Sequence, residues 1–313
     1  MVDIFTMILI VIGLALFEII SSLDNAIINA EVLSTMGQKA RRWFLLWGFL
    51  FAVIMVRGLL PWVIIWITNP SLGFIGSLTA TFSNDPKVAE TIEQSTPILF
   101  MGGAIFLIFL FFHWLFLEHK NYGLKGEKFF HAQGVWFYAV VSILLTTIVW
   151  FSLKKNPVMA FSAVIGSTAF FITHGFKQNA EEEEKKLLEG KSVKSDISKI
   201  LYLEVIDTTF SIDGVLGAFA FTLSIPLILV GNGIGAYVLR RFTVGHLETV
   251  KKYKYLKNGA MYSILLLGTI MLAESFGLHI PSWITPVSTM IVIAYFFWKS
   301  KKELETPYAQ NAV

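Results

Sequence analysis

The sequence contains no cysteine, and this absence removes several kinds of chemistry. Disulfide bonds, thiolate metal ligands, iron–sulfur clusters and thiol nucleophiles all require cysteine. Any metal ion bound by this chain must therefore be held by oxygen atoms or by imidazole nitrogens. The sequence also shows neither a nucleophile–base arrangement nor a cofactor fingerprint, so we expect neither an enzyme nor a resident cofactor.

Charged residues are scarce as well. They make up 15% of the 313 residues, whereas hydrophobic residues make up 55%; a soluble domain averages about 25% charged residues. The charges are concentrated in short clusters between long apolar segments. This pattern is typical of a polytopic membrane protein, so we expect the lipid bilayer as a partner and no nucleic acid. The opening "MVDIFTMILIVIG" lacks a basic region and a cleavage site, and we interpret it as the first span.

The apolar segments set the expected fold class. A helix needs about 20 apolar residues to cross a bilayer, and we predict an all-α protein with about nine transmembrane helices. The segments are residues 4-32, 43-68, 97-117, 134-153, 157-177, 199-223, 225-242, 259-279 and 283-299.

The distribution of basic residues predicts the orientation of these helices. With the N-terminus outside, all but four of the 25 Lys and Arg residues lie on the cytoplasmic side. The exceptions are Lys87, Lys154, Lys155 and Arg57. The positive-inside rule therefore favours an N-out, C-in arrangement in the inner (plasma) membrane.

Two connecting segments are longer than the others. In the outer one, residues 69-96, Asp85 can cap a helix and Pro86 can occupy its first turn, which predicts a short external helix. In the inner one, the run "NAEEEEKKLLEGKSVKSD" predicts a solvated helix that ends near Gly190. Ser195 or Asp196 would then cap the next span. The resulting division is a first half, 1-177, a charged cytoplasmic linker, 178-198, and a second half, 199-313.

Two short stretches of the chain resemble each other. "FEIISSLDN" at 17-25 and "IDTTFSIDG" at 206-214 share two acids six positions apart and a serine two positions before the second acid. The next span of each half carries a glycine nine residues before an arginine, at Arg57 and Arg240. In the nine-helix arrangement the two copies run in opposite directions. Inverted repeats with broken helices are characteristic of secondary transporters, whose sites lie at the repeat interface.

The repeated acids Glu18, Asp24, Asp207 and Asp213 are the candidate functional groups. Each acid at a helix centre costs about 2.5–3.5 kcal/mol in a membrane, so four unpartnered acids would cost roughly 10 kcal/mol. Internal pairing with the two repeat arginines is one explanation, but the acids outnumber them. A bound cation is the other explanation, and we favour it because intramembrane acids are functional by default.

These acids can meet on one ion only if the helices are interrupted. On a straight helix, residues six apart point about 240° apart. We predict local unwinding at residues 21–22 and 208–211, which would expose backbone carbonyls and let the acids of each copy converge. The residues expected to help the chain leave helical geometry are Asn25, Gly214 and Gly217.

We therefore predict an all-oxygen site for a divalent cation. The proposed ligands are Glu18, Asp24, Asn25, Asp207 and Asp213, with Glu204 as a further ligand or an acid on the entry path. Such ligands suit Mg²⁺, Ca²⁺ or Mn²⁺ and argue against Cu⁺ or a zinc–thiolate site. Exchange of protons for the metal is the coupling hypothesis, because desolvated carboxylates that release a cation favour protonation.

The motifs resemble those of the TerC family of integral membrane proteins, within a broader grouping that includes LysE-type exporters. The first TerC motif, a glutamate followed by an apolar-serine run and Ser-Leu-Asp-Asn-Ala, is similar to Glu18 to Ala26. The second, Glu-x-x-Asp-x-x-Phe-[Ala/Ser]-x-Asp, is matched by Glu204, Asp207, Phe210, Ser211 and Asp213. TerC proteins commonly continue with Asp-Ser-Ile-Pro-Ala, where this chain reads Asp-Gly-Val-Leu-Gly, which indicates a divergent branch.

This resemblance implies a bacterial inner-membrane protein linked to tellurite resistance and to Mn²⁺ efflux. We expect an exporter of a hard divalent cation, Mn²⁺ first and Ca²⁺ second. The alternative is a non-transporting membrane scaffold that assists assembly or metal loading of exported proteins. Its docking surfaces would be the charged inner linker and the outer segment 69-96.

Overall fold

The computed structural model describes residues 4–34, 36–80, 85–188 and 196–305, and within these ranges the regular structure is helical. The α-helices are α1 Ile4–Ser21, α2 Leu23–Ser34, α3 Gln38–Trp43, α4 Phe49–Phe51, α5 Leu60–Thr68, α6 Gly73–Thr79, α7 Pro86–Leu117, α8 Glu127–Ala132, α9 Phe137–Lys155, α10 Pro157–Leu188, α11 Asp196–Phe219, α12 Ile225–Lys251, α13 Leu256–Ser275 and α14 Ile284–Leu304. Between α3 and α5 the chain stays helical through two wide π-helical turns, Phe44–Gly48 and Ala52–Leu59.

Six helical segments of the described residues are long and apolar enough to cross a membrane. They are Ile4–Ser21, Gln38–Thr68, Glu90–Leu117, Gly134–Lys155, Pro157–Asn179 and Leu256–Ser275. The other three predicted spans lie on α11, α12 and α14, which are long enough to cross a membrane but are less apolar than these six segments. The all-α membrane class is therefore confirmed, whereas the nine crossings and their orientation stay predictions.

The helix α7 forms the centre of the bundle. In the most apolar stretch of α7, 83% of the residues are buried, whereas in the corresponding stretch that contains α9 only 17% are buried. Trp114, Phe106 and Phe109 of α7 are almost completely enclosed, and α7 packs mainly against α10 and α13. The helix α9 therefore lies at the edge of the bundle, where its apolar side chains face outward.

Glycines allow α7 and α10 to approach closely. A Cβ atom at Gly166 of α10 would lie only 2.1 Å from the carbonyl oxygen of Gly102 on α7. Beside this contact, the Ser162 hydroxyl of α10 donates to the Ile98 carbonyl of α7 at 2.6 Å. Small residues and interhelical hydrogen bonds of this kind are the usual means of helix association in a membrane.

The predicted outer helix is not a separate element. Asp85 does cap a helix, since its side chain accepts a hydrogen bond from the Lys87 amide at 2.9 Å. That helix continues as α7 through Pro97 into the predicted third span. The hydroxyl of Thr96 donates to the Ile92 carbonyl at 2.7 Å, so polar groups near the proline retain helical partners. The prediction of a short helix was wrong because nothing between the cap and the span turns the chain.

The inner charged run is helical as predicted, but it too extends a neighbouring span. The helix α10 is described from Pro157 to Leu188, and the predicted end near Gly190 lies outside the described residues. The next described helix, α11, begins at Asp196. Residues 189–195 and the side chain of Asp196 lie outside the described part, and with them the predicted cap of α11.

The predicted helix breaks differ from the structure. Only Ser22 interrupts the helix between α1 and α2, and its amide still donates to the Glu18 carbonyl at 3.1 Å while its carbonyl accepts from the Ala26 amide at 3.0 Å. The helix α11 runs without interruption through residues 208–211. The interruption in the first copy therefore lies at the predicted place but does not unwind the chain, because its backbone hydrogen bonds are kept. The second copy has no interruption at the predicted place, and irregular turns occur in the second span, Gln38–Thr68.

The close contact of α7 and α10 generates the first testable prediction. Gly166→Ala should lower the free energy of unfolding by about 1–3 kcal/mol, because the added methyl group forces the two backbones apart. Gly175→Ala is the matched control, since it lies on the same helix with no atom within 4 Å of its Cβ position. The measurement is thermal unfolding in detergent, and equal melting temperatures for the two variants would contradict the proposed contact.

Candidate functional site

Arg57 joins acids from the two halves of the chain. It lies in the wide turn Ala52–Leu59, and only 3% of it is exposed. Its Nη2 and Nε atoms donate to the Glu18 Oε1 atom at 2.5 and 3.0 Å. Its Nη1 atom lies 3.9 Å from the Asp207 Oδ2 atom on α11. One guanidinium thus connects α1, the second span and α11.

Glu18 is enclosed on every side. Besides the contacts with Arg57, its Oε1 atom accepts a hydrogen bond from the Ser22 hydroxyl at 2.8 Å. Its Oε2 atom faces Gly214 of α11, where a Cβ atom would be 3.1 Å away. A Cβ atom at Gly235 of α12 would lie 2.7 Å from the Glu18 Cβ atom. The acid therefore fills a space that α11 and α12 leave open by carrying glycine.

The glycines of α11 have a different role from the predicted one. Gly214 and Gly217 are both helical and do not release the chain from helical geometry. At Gly217, a Cβ atom would be 2.6 Å from the ring of Phe17 on α1. These glycines allow α1 to pack closely on α11, so that the Glu18 carboxylate reaches the second half of the chain.

Asp213 lies on another face of α11 and contacts a different cation. Its Oδ2 atom is 2.5 Å from the Nζ atom of Lys177 on α10, and the two side chains are only 12% and 13% exposed. Because α11 is unbroken, Asp207 and Asp213 do not converge. Asp207 contacts Arg57, whereas Asp213 contacts α10.

Lys177 is the residue that sequence reasoning missed. The positive-inside count places it with the cytoplasmic charges, although it belongs to the apolar stretch Pro157–Asn179. A lysine in the last turns of an apolar segment is the signal that could have identified it, because such a charge needs a partner within reach. Nothing in the sequence spacing indicates that the partner is Asp213, 36 residues later.

Three buried oxygen atoms of α11 have no hydrogen-bond partner among the described residues. They are Glu204 Oε1, Ser211 Oγ and Asp213 Oδ1. An unsatisfied buried polar atom costs about 1–3 kcal/mol, and more if it is charged. Glu204, Asp207 and Ser211 recur at helical spacing and so share one face of α11. This face offers oxygen ligands for a cation.

Glu204 is held against the second span. Its Oε1 atom occupies the space beside Gly48, where a Cβ atom would lie only 2.2 Å from it. Gly48 ends the wide turn Phe44–Gly48. The carbonyl of Phe44, at the start of this turn, accepts a hydrogen bond from the Arg240 Nη2 atom at 2.8 Å. The two repeat arginines thus make different contacts, because Arg57 binds a carboxylate with two of its nitrogens and Arg240 binds a backbone carbonyl.

The second acid of the first copy lies outside the described side chains. Asp24 and Asn25 belong to the backbone of α2, but the structure describes neither side chain, and the same holds for Glu31. Among the described residues, no group of three or more His, Asp or Glu side chains has the arrangement of a metal site. The structure therefore brings Glu18 and Asp207 together at Arg57, with Glu204 on the Asp207 face of α11, and separates Asp213 from them.

Comparison with known proteins identifies a family that the chain matches. The family model described as "Protein of unknown function (DUF475)" matches residues 23–305. The chain is similar to the UPF0053 inner membrane protein YgdQ of Escherichia coli, with 25% identity over 150 residues, 44% of this chain and 62% of that protein. It is also similar to the uncharacterized membrane protein YceF of Bacillus subtilis, with 28% identity over 97 residues, 31% of this chain and 37% of that protein. No solved structure matches the chain.

The chain spans less than two thirds of the length of these relatives. Their membrane location agrees with the apolar helices of the structure. The protein is therefore a multi-pass protein of the inner membrane. The names of these relatives do not include TerC or LysE, so the relation to those families stays a resemblance.

The buried position of Arg57 generates the second testable prediction. Arg57→Met should destabilise the protein by about 3–5 kcal/mol, because it leaves the Glu18 carboxylate buried without its cation. Arg42→Met is the control, since this arginine of α3 is exposed. Thermal unfolding followed by tryptophan fluorescence measures both variants. A melting temperature for Arg57→Met equal to that of the control would show that the pair does not hold the helices together.

Proposed function

The chain belongs to the DUF475 family, and from this premise and the geometry of α11 we propose that it is a transporter, not an enzyme. It exports a hard divalent cation, Mn²⁺ first and Ca²⁺ second, in exchange for protons. The observation that carries this proposal is the pair of buried oxygen atoms on one face of α11, Glu204 Oε1 and Ser211 Oγ, which lack hydrogen-bond donors among the described residues. Asp213 Oδ1, on another face of the same helix, also lacks a donor there. Oxygen atoms of this kind are the ligands that hard cations prefer.

The charge balance at Arg57 supports a cation site. Glu18 and Asp207 contact Arg57, and Glu204 lies one turn before Asp207 on the same helix. Arg240 interacts electrostatically with both Asp207 and Glu204. Three carboxylates therefore face two arginines. A divalent cation at this place would add the missing positive charge. Asp24 and Asn25 complete the proposed ligand set from the first copy of the repeat.

The proposed direction of transport rests on the predicted topology, and the proposed ion rests on the resemblance to TerC proteins. In the proposed arrangement nine helices cross the membrane with the N-terminus outside, and the two copies of the motif run in opposite directions. Ions then reach acids of both copies from alternate sides. The choice of Mn²⁺, and with it a part in tellurite resistance, rests on the TerC-like motifs, because an all-oxygen site accepts Ca²⁺ equally well.

One observation favours the alternative function. Glu18 is satisfied internally, since Arg57 and Ser22 together provide three hydrogen bonds to its Oε1 atom. Buried acids can therefore serve as a structural connection in a scaffold that transports nothing and assists assembly or metal loading of exported proteins. The two functions differ in whether purified protein moves an ion.

Ion flux is the third testable prediction. Protein reconstituted in liposomes should move Mn²⁺ in both the presence and absence of a proton gradient, and an opposing gradient should raise the rate. Asp24→Asn and Asp207→Asn should each lower the flux by at least about tenfold, because each removes one charged ligand. The measurement uses a Mn²⁺-quenched dye inside the liposomes.

The control for this experiment is Asp85→Asn. Asp85 is an exposed acid that caps α7, so its substitution should leave the flux unchanged. Undiminished flux in Asp24→Asn and Asp207→Asn would disprove the ligand assignment. Absence of flux for Mn²⁺, Ca²⁺ and Mg²⁺ in the wild type would favour the scaffold.

The inner linker provides the fourth testable prediction. Removal of residues 189–195 and their replacement by a flexible Gly-Ser sequence of equal length should leave Mn²⁺ flux within about twofold, because flexible linkers of this composition keep the connection between helices. A scaffold that docks partners through this segment would instead lose its function in cells. The comparison of flux in liposomes with metal tolerance in cells separates the two outcomes.

A further inference from the structure

The first half of the chain ends in a buried lysine, Lys177, that the proposed transport reaction does not use. Lys177 places its Nζ atom 2.5 Å from the Asp213 Oδ2 atom, and both side chains are largely buried between α10 and α11. Asp213 is a proposed ligand of the transported ion, and it lies on a different face of α11 from Glu204 and Asp207, so the ion would contact it at a position separate from Arg57. A positive charge already sits at that carboxylate.

Two of the buried ion pairs among the described residues are built differently. In the pair of Glu18 with Arg57, two guanidinium nitrogens and the Ser22 hydroxyl all donate to one carboxylate oxygen. In the pair of Asp213 with Lys177, the Oδ2 atom contacts the amine, whereas the Oδ1 atom has no hydrogen-bond partner among the described residues. Half of the Asp213 carboxylate thus remains available to another positively charged group.

The chemistry of the two cations adds to this difference. An arginine presents a rigid fork of donors that matches a carboxylate, whereas a lysine presents one compact charge on a flexible four-carbon stem. Lys177 lies two residues before the end of the apolar stretch Pro157–Asn179. From this position its amine can swing toward the polar boundary of the membrane, as lysines near helix ends do.

We propose that Lys177 is a tethered cation that competes with the transported divalent ion for the Asp213 carboxylate. This inference rests on the proposed function. When no metal ion is bound, the amine neutralises Asp213 and connects α10 to α11. When a divalent ion binds, it takes the carboxylate and the amine moves away. Lys177 thereby sets the affinity of the site and lets the ion leave it.

Direct binding of MnCl₂ to the full-length protein in detergent tests this competition. Lys177→Gln should lower the Kd for Mn²⁺ by about tenfold, the effect expected when a close competing charge is removed. Lys177→Arg should raise the Kd, because a guanidinium holds the carboxylate with more donors. In the Asp213→Asn background, Lys177→Gln should change the Kd by less than about twofold. The carboxylate for which the lysine and the metal ion compete is then absent.

Lys154→Gln is the matched control. Lys154 lies on α9 with its Nζ atom 5.1 Å from the centre of the Trp150 ring, so its substitution should leave the Kd unchanged. A Kd for Lys177→Gln equal to that of the wild type would overturn the inference while the proposed function stands. A wild type that binds neither Mn²⁺ nor Ca²⁺ would overturn the proposed function and the inference with it.

A second measurement uses the wild type and does not depend on the folding of any variant. Reductive methylation with formaldehyde modifies lysine amines in proportion to their accessibility, and mass spectrometry locates the modified residues. MnCl₂ should speed the modification of Lys177 several-fold and leave that of Lys154 unchanged. A purely structural ion pair would keep Lys177 equally protected with and without the metal ion, and that result would reject the competition.

Discussion

The contacts of Arg57 with Glu18 and Asp207 are the interactions on which the arrangement of the two halves depends. Neither Arg57 nor the Glu18 carboxylate can remain alone among apolar helices, because each would cost several kcal/mol without a partner. Their contact fixes α1 beside the second span, and Gly214 and Gly235 provide the space that the acid needs on α11 and α12. The position of α11, and so of Glu204, Asp207 and Asp213, is tied to these contacts.

Much of the fold was predictable from the sequence, because a long apolar segment in a membrane has few alternatives to a helix. Two boundaries were wrong for one reason: a helix continues until a residue stops it, and neither residues 86–96 at the start of α7 nor the charged residues 178–188 of α10 include such a residue. The predicted break at residues 208–211 was wrong because side-chain hydroxyl groups can form hydrogen bonds with backbone carbonyls inside a continuous helix. The Thr208 hydroxyl donates to the Glu204 carbonyl at 2.7 Å, which satisfies the backbone locally without unwinding it.

The candidate acids were also predictable, because a charged residue within an apolar segment can be recognised from the sequence alone. The partners of these acids could be predicted only in part. Arg57 could be proposed as a counter-ion because it recurs with the motif, but Lys177 could not, because its contact with Asp213 depends on how α10 packs against α11. The separation of Asp207 from Asp213 follows from the unbroken helical geometry of α11. The sequence pattern did not predict it, because we interpreted that pattern as a broken helix.

The two copies of the motif are alike in sequence and unlike in their hydrogen bonds. Ser22 donates to Glu18, four residues earlier, whereas Ser211 occupies the equivalent place after Asp207 and has no hydrogen-bond partner among the described residues. Glu18 of the first copy therefore has its charge satisfied by fixed protein groups. The second copy keeps oxygen atoms that still require a donor or a cation. A site that releases its ion must be only partly satisfied without it, so the proposed transport function would place exchange at α11, with the Glu18 and Arg57 pair as a fixed support.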